Sequence, residues 1–251
     1  MSLDLLSYVG PGVVILCAIL MIIFMIIYRK QPLRDLREIP AFNRLRQAIG
    51  LAVEDGSRLH VSLGNANPNS QQAASALVGL SSLESITQLS ATSDQPPVAT
   101  SGNGGLAILS QDALRGIYQQ ANTPEVYDPG QGRLTGPTPF SYIAGAMPIL
   151  KDENISSNIL LGNFGPEIGL LIDRAEKQNS LTVAGSDSLP AQAVLYATCD
   201  EPLIGEELFA SGAYLQTNSF HPASLRAQDV LKWLVMVSVV VGIILKLIKF
   251  I

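Results

Sequence analysis

The sequence holds few of the residues that carry most side-chain chemistry. Its 251 residues include two cysteines, two histidines and one tryptophan. Cys17 lies in a long apolar run and Cys199 far along the chain, so the two are not expected to meet. That excludes a disulfide framework, and no CxxC or Cys/His metal spacing is present. The usage agrees with a reducing compartment. HExxH, GxSxG and EF-hand patterns are also missing. His60 falls in a predicted strand, where a histidine is ordinarily packed or hydrogen-bonded, and His221 falls in a stretch read as a tether. Cys199 stands beside Asp200 with no basic neighbour to lower its pKa. Asp200-Glu201 and Glu206-Glu207 are adjacent pairs, and adjacent helical residues point to different faces, so neither reads as a shared-proton dyad. No catalytic residue, metal or cofactor is expected.

Positive charge is scarce in the middle of the chain. Residues 39–225 hold eight Lys/Arg against seventeen Asp/Glu, a balance of −9. Such a surface repels phosphate backbones, so nucleic acid is not an expected partner. The same acidity serves solubility without any partner.

What the sequence has instead is two long apolar runs, one near each end. Val9–Tyr28 contains no charged residue, and about 20 residues cross a hydrocarbon core of roughly 30 Å. Pro11 sits in the first turn, where its missing N–H costs little, and Tyr8 and Tyr28 bracket the run as interfacial aromatics do. A cleaved signal peptide needs a basic start and a shorter core, whereas this start carries Asp4 and no Lys or Arg. Arg29, Lys30, Arg34 and Arg37 follow the run, so the positive-inside rule places residues 1–8 outside and residues 29–229 in the cytoplasm. In Val230–Ile251 the unbroken apolar part is Trp233–Leu245. It spans only if Lys232, Lys246 and Lys249 snorkel. The chain therefore divides into a short N-terminus (1–8), a transmembrane helix (9–28), a basic linker (29–40), a cytoplasmic domain (41–215), a tether (216–229) and a second transmembrane helix (230–251). The expected location is the cell membrane, with the central domain on its cytoplasmic side.

In the central stretch, apolar periodicity predicts helices over 41–54, 70–90, 106–120, 167–178 and 203–215. Strands are predicted over 59–63, 98–101, 140–146, 158–162 and 181–185, with 191–196 ambiguous and 122–139 a long loop. In the 70–90 helix the stripe Ala73, Leu77, Leu80, Leu83, Ile86 and Leu89 is the expected core face. Alternating strands and helices predict an α/β domain with a largely parallel, Rossmann-like sheet inserted between two transmembrane helices.

Four of the predicted strands end in one chemistry: Gly64-Asn65, Gly102-Asn103, Gly162-Asn163 with Gly165, and Gly185-Ser186. Glycine allows a tight turn with positive φ, and Asn or Ser caps the helix that follows. In a parallel sheet these turns share the carboxyl edge, where helix N-termini favour anions. Those nine residues are the candidate binding set for a small anionic or nucleotide-like ligand. Ordinary strand-to-helix turns use the same residues with no ligand, and 162–169 lacks both a P-loop lysine and G-x-G-x-x-G spacing.

Two stretches, Glu54-Asp55-Gly56-Ser57-Arg58-Leu59-His60 and Leu203-Ile204-Gly205-Glu206-Glu207-Leu208-Phe209-Ala210, resemble a domain-of-unknown-function family of bacterial membrane proteins with this span–domain–span layout. The resemblance covers most of the chain. It implies the architecture and carries no activity or site residues.

The leading expectation is a membrane-anchored, non-catalytic assembly or scaffold subunit, partnered by the bilayer and by copies of itself or other membrane subunits. Copies in a membrane meet at high effective concentration, and Gly10, Gly12, Ala18, Ser238 and Gly242 permit close helix contact, although none forms GxxxG. The alternative is a membrane-tethered sensor or binding module using the glycine turns.

Overall fold

The computed structural model describes residues 2–28, 37–70, 72–215 and 220–247. The basic run 29–36, the first part of the tether (216–219) and the last four residues of the second apolar run lie outside the described residues. The chain forms two units: residues 38–215, and the two ends.

In the terminal unit, α1 (Ser2–Tyr28) and α9 (Phe220–Leu247) pack against each other. Each is long and apolar enough to cross a membrane, with mean hydropathy 2.9 over Gly10–Ile27 and 1.8 over Ser224–Ile244. Helix α9 begins at Phe220, so residues 220–229, expected as a tether, are helical.

The central unit begins with α2 (Pro40–Asp55). Pro40 opens it, Phe42, Leu45 and Ile49 are buried at helical spacing, and Gly56 ends it at φ 64. Then follow β1 (Arg58–Gly64), α3 (Ala73–Leu89), β2 (Val98–Ser101), α4 (Gly104–Gln120), β3 (Gly132–Leu134), α5 (Pro139–Asp152), β4 (Ile155–Asn163), α6 (Ile168–Glu176), β5 (Leu181–Ser186), α7 (Leu189–Thr198), β6 (Glu201–Leu203) and α8 (Glu207–Leu215). Among the described residues the six strands form one sheet in the order β3-β2-β1-β4-β5-β6, every pair parallel. This is the doubly wound Rossmann order, reversing between β1 and β4. Helices α5, α6 and α7 cover one face of the sheet, and α2, α3, α4 and α8 the other.

Four sequence readings are corrected. Residues 140–146, expected as a strand, form the first half of α5. Thr138 and Ser141 make a reciprocal capping box and Pro139 takes the first helical position. Tyr142, Ile143, Ala146, Ile149 and Leu150 then follow the helical period into the core. The loop expected over 122–139 contains β3, and residues 203–206, expected to open the last helix, instead finish β6 and turn. Both missed strands are three-residue edges, too short to show alternation, and β6 includes Pro202, which an edge tolerates.

The fourth correction concerns α3. Leu77 and Leu89 of the expected core stripe are exposed, 54% and 46%. Leu83 and Ile86 of that stripe are fully buried, and the rest of the buried face is small or hydroxylated: Ser75, Ala76, Gly79, Ser82, Ser85 and Thr87. A Cβ on Gly79 would run into the Leu161 carbonyl oxygen, so at that turn the helix lies too close to the sheet for any side chain. Ser75, Ser85 and Thr87 bond to carbonyls of the preceding turn and Ser82 to Ser211 of α8, which makes their burial tolerable.

The other face of the sheet holds a buried polar chain. Residues alternate along β1, so His60 and Ser62 both point toward α5. His60 Nδ1 lies 2.5 Å from Asn158 Oδ1, and its Nε2 lies 2.8 Å from Thr100 Oγ1. Thr100 Oγ1 is 3.1 Å from the Tyr142 hydroxyl, which also bonds to Ser62. The hydroxyls and both ring nitrogens are satisfied when Ser62 donates to Tyr142, Tyr142 to Thr100, Thr100 to Nε2, and Nδ1–H to Asn158 Oδ1. Complete burial favours the neutral imidazole in this arrangement. Three strands and one helix are thereby tied together at the centre of the sheet.

Complete burial pushes the His60 pKa down from 6.5 to about 4, and the bond to Asn158 offsets this only in part. An unfolded chain therefore binds a proton between these values that the folded chain refuses. Stability from this group is complete above pH 6.5 and is lost as pH falls toward 4, a difference on the order of 3 kcal/mol. Urea unfolding should show the wild type losing about 2 kcal/mol more between pH 7 and 4.5 than the His60→Gln variant, which has no imidazole to titrate. Parallel losses in both would remove His60 as the cause.

Candidate functional site

Because every strand is parallel, the turns after β1, β2, β4 and β5 all lie at the carboxyl edge of one sheet. In this strand order the fold's usual ligand crevice opens between the ends of β1 and β4. Gly64, Asn65, Gly162 and Asn163 stand there, and Gly102 joins them because a Cβ on it would collide with the Asn65 side chain. Asn103 lies beyond them as the cap of α4, and Gly165 and Ser186 flank Phe164. Gly185 is not part of the group: it faces Leu203 and Leu208, inside the packing of β6 and α8.

An anion at this edge would need free backbone N–H groups. Asn65 N–H donates to Asn163 O (2.9 Å) and Gly102 N–H to Gly64 O (2.9 Å). Gly105 and Leu106 N–H donate to Asn103 Oδ1 (2.9 and 3.3 Å). Phe164 N–H donates to Ser186 Oγ (3.1 Å), and Gly165 N–H to the Glu167 carboxylate (2.9 Å). Asn163 Nδ2 donates to Asp187 (2.7 Å). The chain's own oxygens, two of them on carboxylates, thus occupy these seven donors. Phe164 is buried at 2% exposure, 6.3 Å from the Tyr142 ring, and belongs to the core rather than to an open wall.

The glycines are needed mostly for closeness. Of the four strand-end glycines only Gly64 has positive φ, at 74. At Gly162 a Cβ would strike the Leu63 carbonyl, and at Gly64 it would strike that of Asn163. The two backbones touch at the strand-order reversal.

The amino edge carries an open groove of about 390 Å³, lined by Arg44, Gln47, Asp55, Ser57, Ser157 and Asn179 among others. Arg44 pairs with Glu201 (2.6 Å) and Ser57 donates to Ser156 (2.8 Å). No sequence pattern marked it: six of its eleven lining residues lie on α2, and the others are Ser57, Ser156, Ser157, Asn179 and Leu181. Burial pushes the Cys199 thiol up to about 12; the backbone hydrogen bond at Glu201 opposes it, and the neighbouring Asp200 and Glu201 charges add smaller upward pushes. The sulfur bonds to Thr182 O (3.4 Å). Among the described residues no group of three or more His, Cys, Asp or Glu is placed to hold a metal.

The contact at the reversal should be intolerant of a single methyl group. Gly162→Ala is expected to cost about 3 kcal/mol in thermal or urea unfolding through overpacking against backbone. Gly116→Ala, in open space on α4, should be neutral or stabilising by a few tenths of a kcal/mol. Equal effects at the two sites would remove close approach as the reason for Gly162.

Comparison of the chain with curated proteins and with solved structures yields no match. A family model does match it, over residues 7–251, and its description is a domain of unknown function, DUF6754. With both apolar helices and the whole α/β unit inside that span, the chain belongs to the DUF6754 family.

Proposed function

We propose that the chain is an integral membrane protein, anchored through α1 and α9, whose central unit is a non-catalytic assembly or scaffold subunit of an oligomeric complex. The observation that carries this reading is the occupied carboxyl edge. Where this fold ordinarily binds a small ligand, the donors are spent on internal bonds and Phe164 belongs to the core. This speaks against a small-anion sensor and leaves a rigid domain offering surface.

Anchoring is supported by the terminal helices. Val14, Ile26 and Trp233 are each about two-thirds exposed, as side chains facing lipid are. Chains so anchored are confined to a plane, where weak contacts suffice for assembly. The basic residues after the first apolar run favour a cytoplasmic central unit.

Two measurements test this. Particle mass in mild detergent should exceed that of one 26.8 kDa chain by at least one further protein subunit; a stable single chain as the sole species, at native expression, would overturn the reading. For sidedness, Gly130→Cys is placed in a Cys17→Ser, Cys199→Ser background. The thiol should resist an impermeant reagent in intact cells and label after lysis, and equal labelling in both would place the unit outside.

A further inference from the structure

We propose that the carboxyl edge of the sheet is a docking surface for a partner protein whose contact face combines apolar and basic residues. This deepens the assembly reading and rests on it.

The first observation is where exposed apolar side chains lie. Among the described residues of the central unit, eleven large apolar side chains are exposed. Eight of them sit at a strand's last residue or within the first six residues of the helix that follows it. Scattered exposed leucines need no explanation, but segregation to one edge does. The most exposed of these are Leu189 (78%), Phe140 (70%) and Ile108 (68%), with Leu134 at 53%. Their positions follow from the fold. Phe140 and Leu189 occupy the first turns of α5 and α7, Ile108 the second turn of α4, and Leu134 the end of β3. Parallel strands bring all four elements to the same edge.

The second observation is charge. The loops that leave the six strands, with the first six residues of each following helix, contain five acidic residues and no Lys or Arg. Every one of the eight basic residues in 39–225 lies elsewhere, such as Arg58, Lys151 and Lys177 at the amino side. Glu167 and Asp187 are fixed at the edge by their bonds to Gly165 N–H and Asn163 Nδ2.

These two features select the occupant. Anionic lipid would be repelled by an edge without a single cation. A second copy presenting the same edge would bring like charges together. A partner with Lys or Arg around an apolar centre matches both features, since apolar burial supplies affinity and opposite charge supplies register and encounter rate.

The test uses the full-length protein in its native membranes, with p-benzoylphenylalanine replacing Phe140 or Leu189. Control sites are Leu51 and Leu89, exposed at the ends of α2 and α3 that lead to the amino edge. After irradiation, both edge sites should crosslink to one and the same other protein, in a segment where Lys and Arg outnumber Asp and Glu. The yield should be about fivefold or more above that at the control sites. Combining Glu167→Gln with Asp187→Asn, which keeps the internal acceptors, should cut the yield about threefold or more at unchanged melting temperature. Crosslinks to lipid, to another copy of this chain or to a segment with no basic excess would overturn the proposal. So would edge yields equal to the controls, or yields indifferent to the two acidic substitutions. Particle mass separates the two readings: a multi-subunit particle with an unlabelled edge would sink this proposal and leave the assembly reading intact.

Discussion

A doubly wound sheet is two half-sheets that begin at neighbouring strands, and nothing but the seam between β1 and β4 joins them within the sheet. Here the seam is made in two ways. Along its length the backbones pair in parallel, with irregularities at both ends, and at its carboxyl end they come close enough that Gly64 and Gly162 have no room for a Cβ. Across its middle the His60–Asn158 bond adds a side-chain tie, which Thr100 and Tyr142 extend to β2 and α5. Backbone contact alone would permit sliding by two residues with every side chain on its proper face. The imidazole, with one partner on each flanking strand, fits one register only.

Closing this seam has a chemical consequence. A crevice at a strand-order reversal binds ligand when the two loops part and leave their N–H groups unpaired. In this chain the Asn65 N–H reaches the Asn163 carbonyl across the gap, and the Gly165 N–H is taken by Glu167 of its own loop. The residues are those of a binding site and the contacts are those of a core. The surface that results is closed in its middle, apolar around its rim and acidic.

Much of this was legible in the sequence, and the failures have physical causes. Gly56 and the buried face of α2 followed from local chemistry, and parallel winding followed from the alternation of strands and helices. The α3 face was misread because periodicity weighs leucine above serine, whereas a helix pressed against a sheet selects for smallness. The stretch 140–146 was misread because seven mostly apolar residues fit either period, and the decisive signal was the Thr-Pro start at 138–139. At the glycine turns the sequence showed where a ligand would bind. It could not show that these donors were already spent, since two of the bonds, Asn65 to Asn163 and Gly102 to Gly64, join different strand ends that only the folded sheet brings together.

The central seam also governs how the chain reaches this state. Strand β1 ends at Gly64, and its neighbour β4 does not finish until Asn163. A growing chain can therefore pair β1 with β2 early, while the other flank of β1 stays an open strand edge carrying His60 without Asn158. Parallel pairing across so long an interval is slow, because a large loop must close before any contact rewards it. Until then the half-sheet presents an apolar edge of the kind that templates aggregation. Folding of the domain is thus gated by synthesis: its most exposed moment falls between the appearance of β2 and the arrival of β4, when α1 is already made and α9 is not.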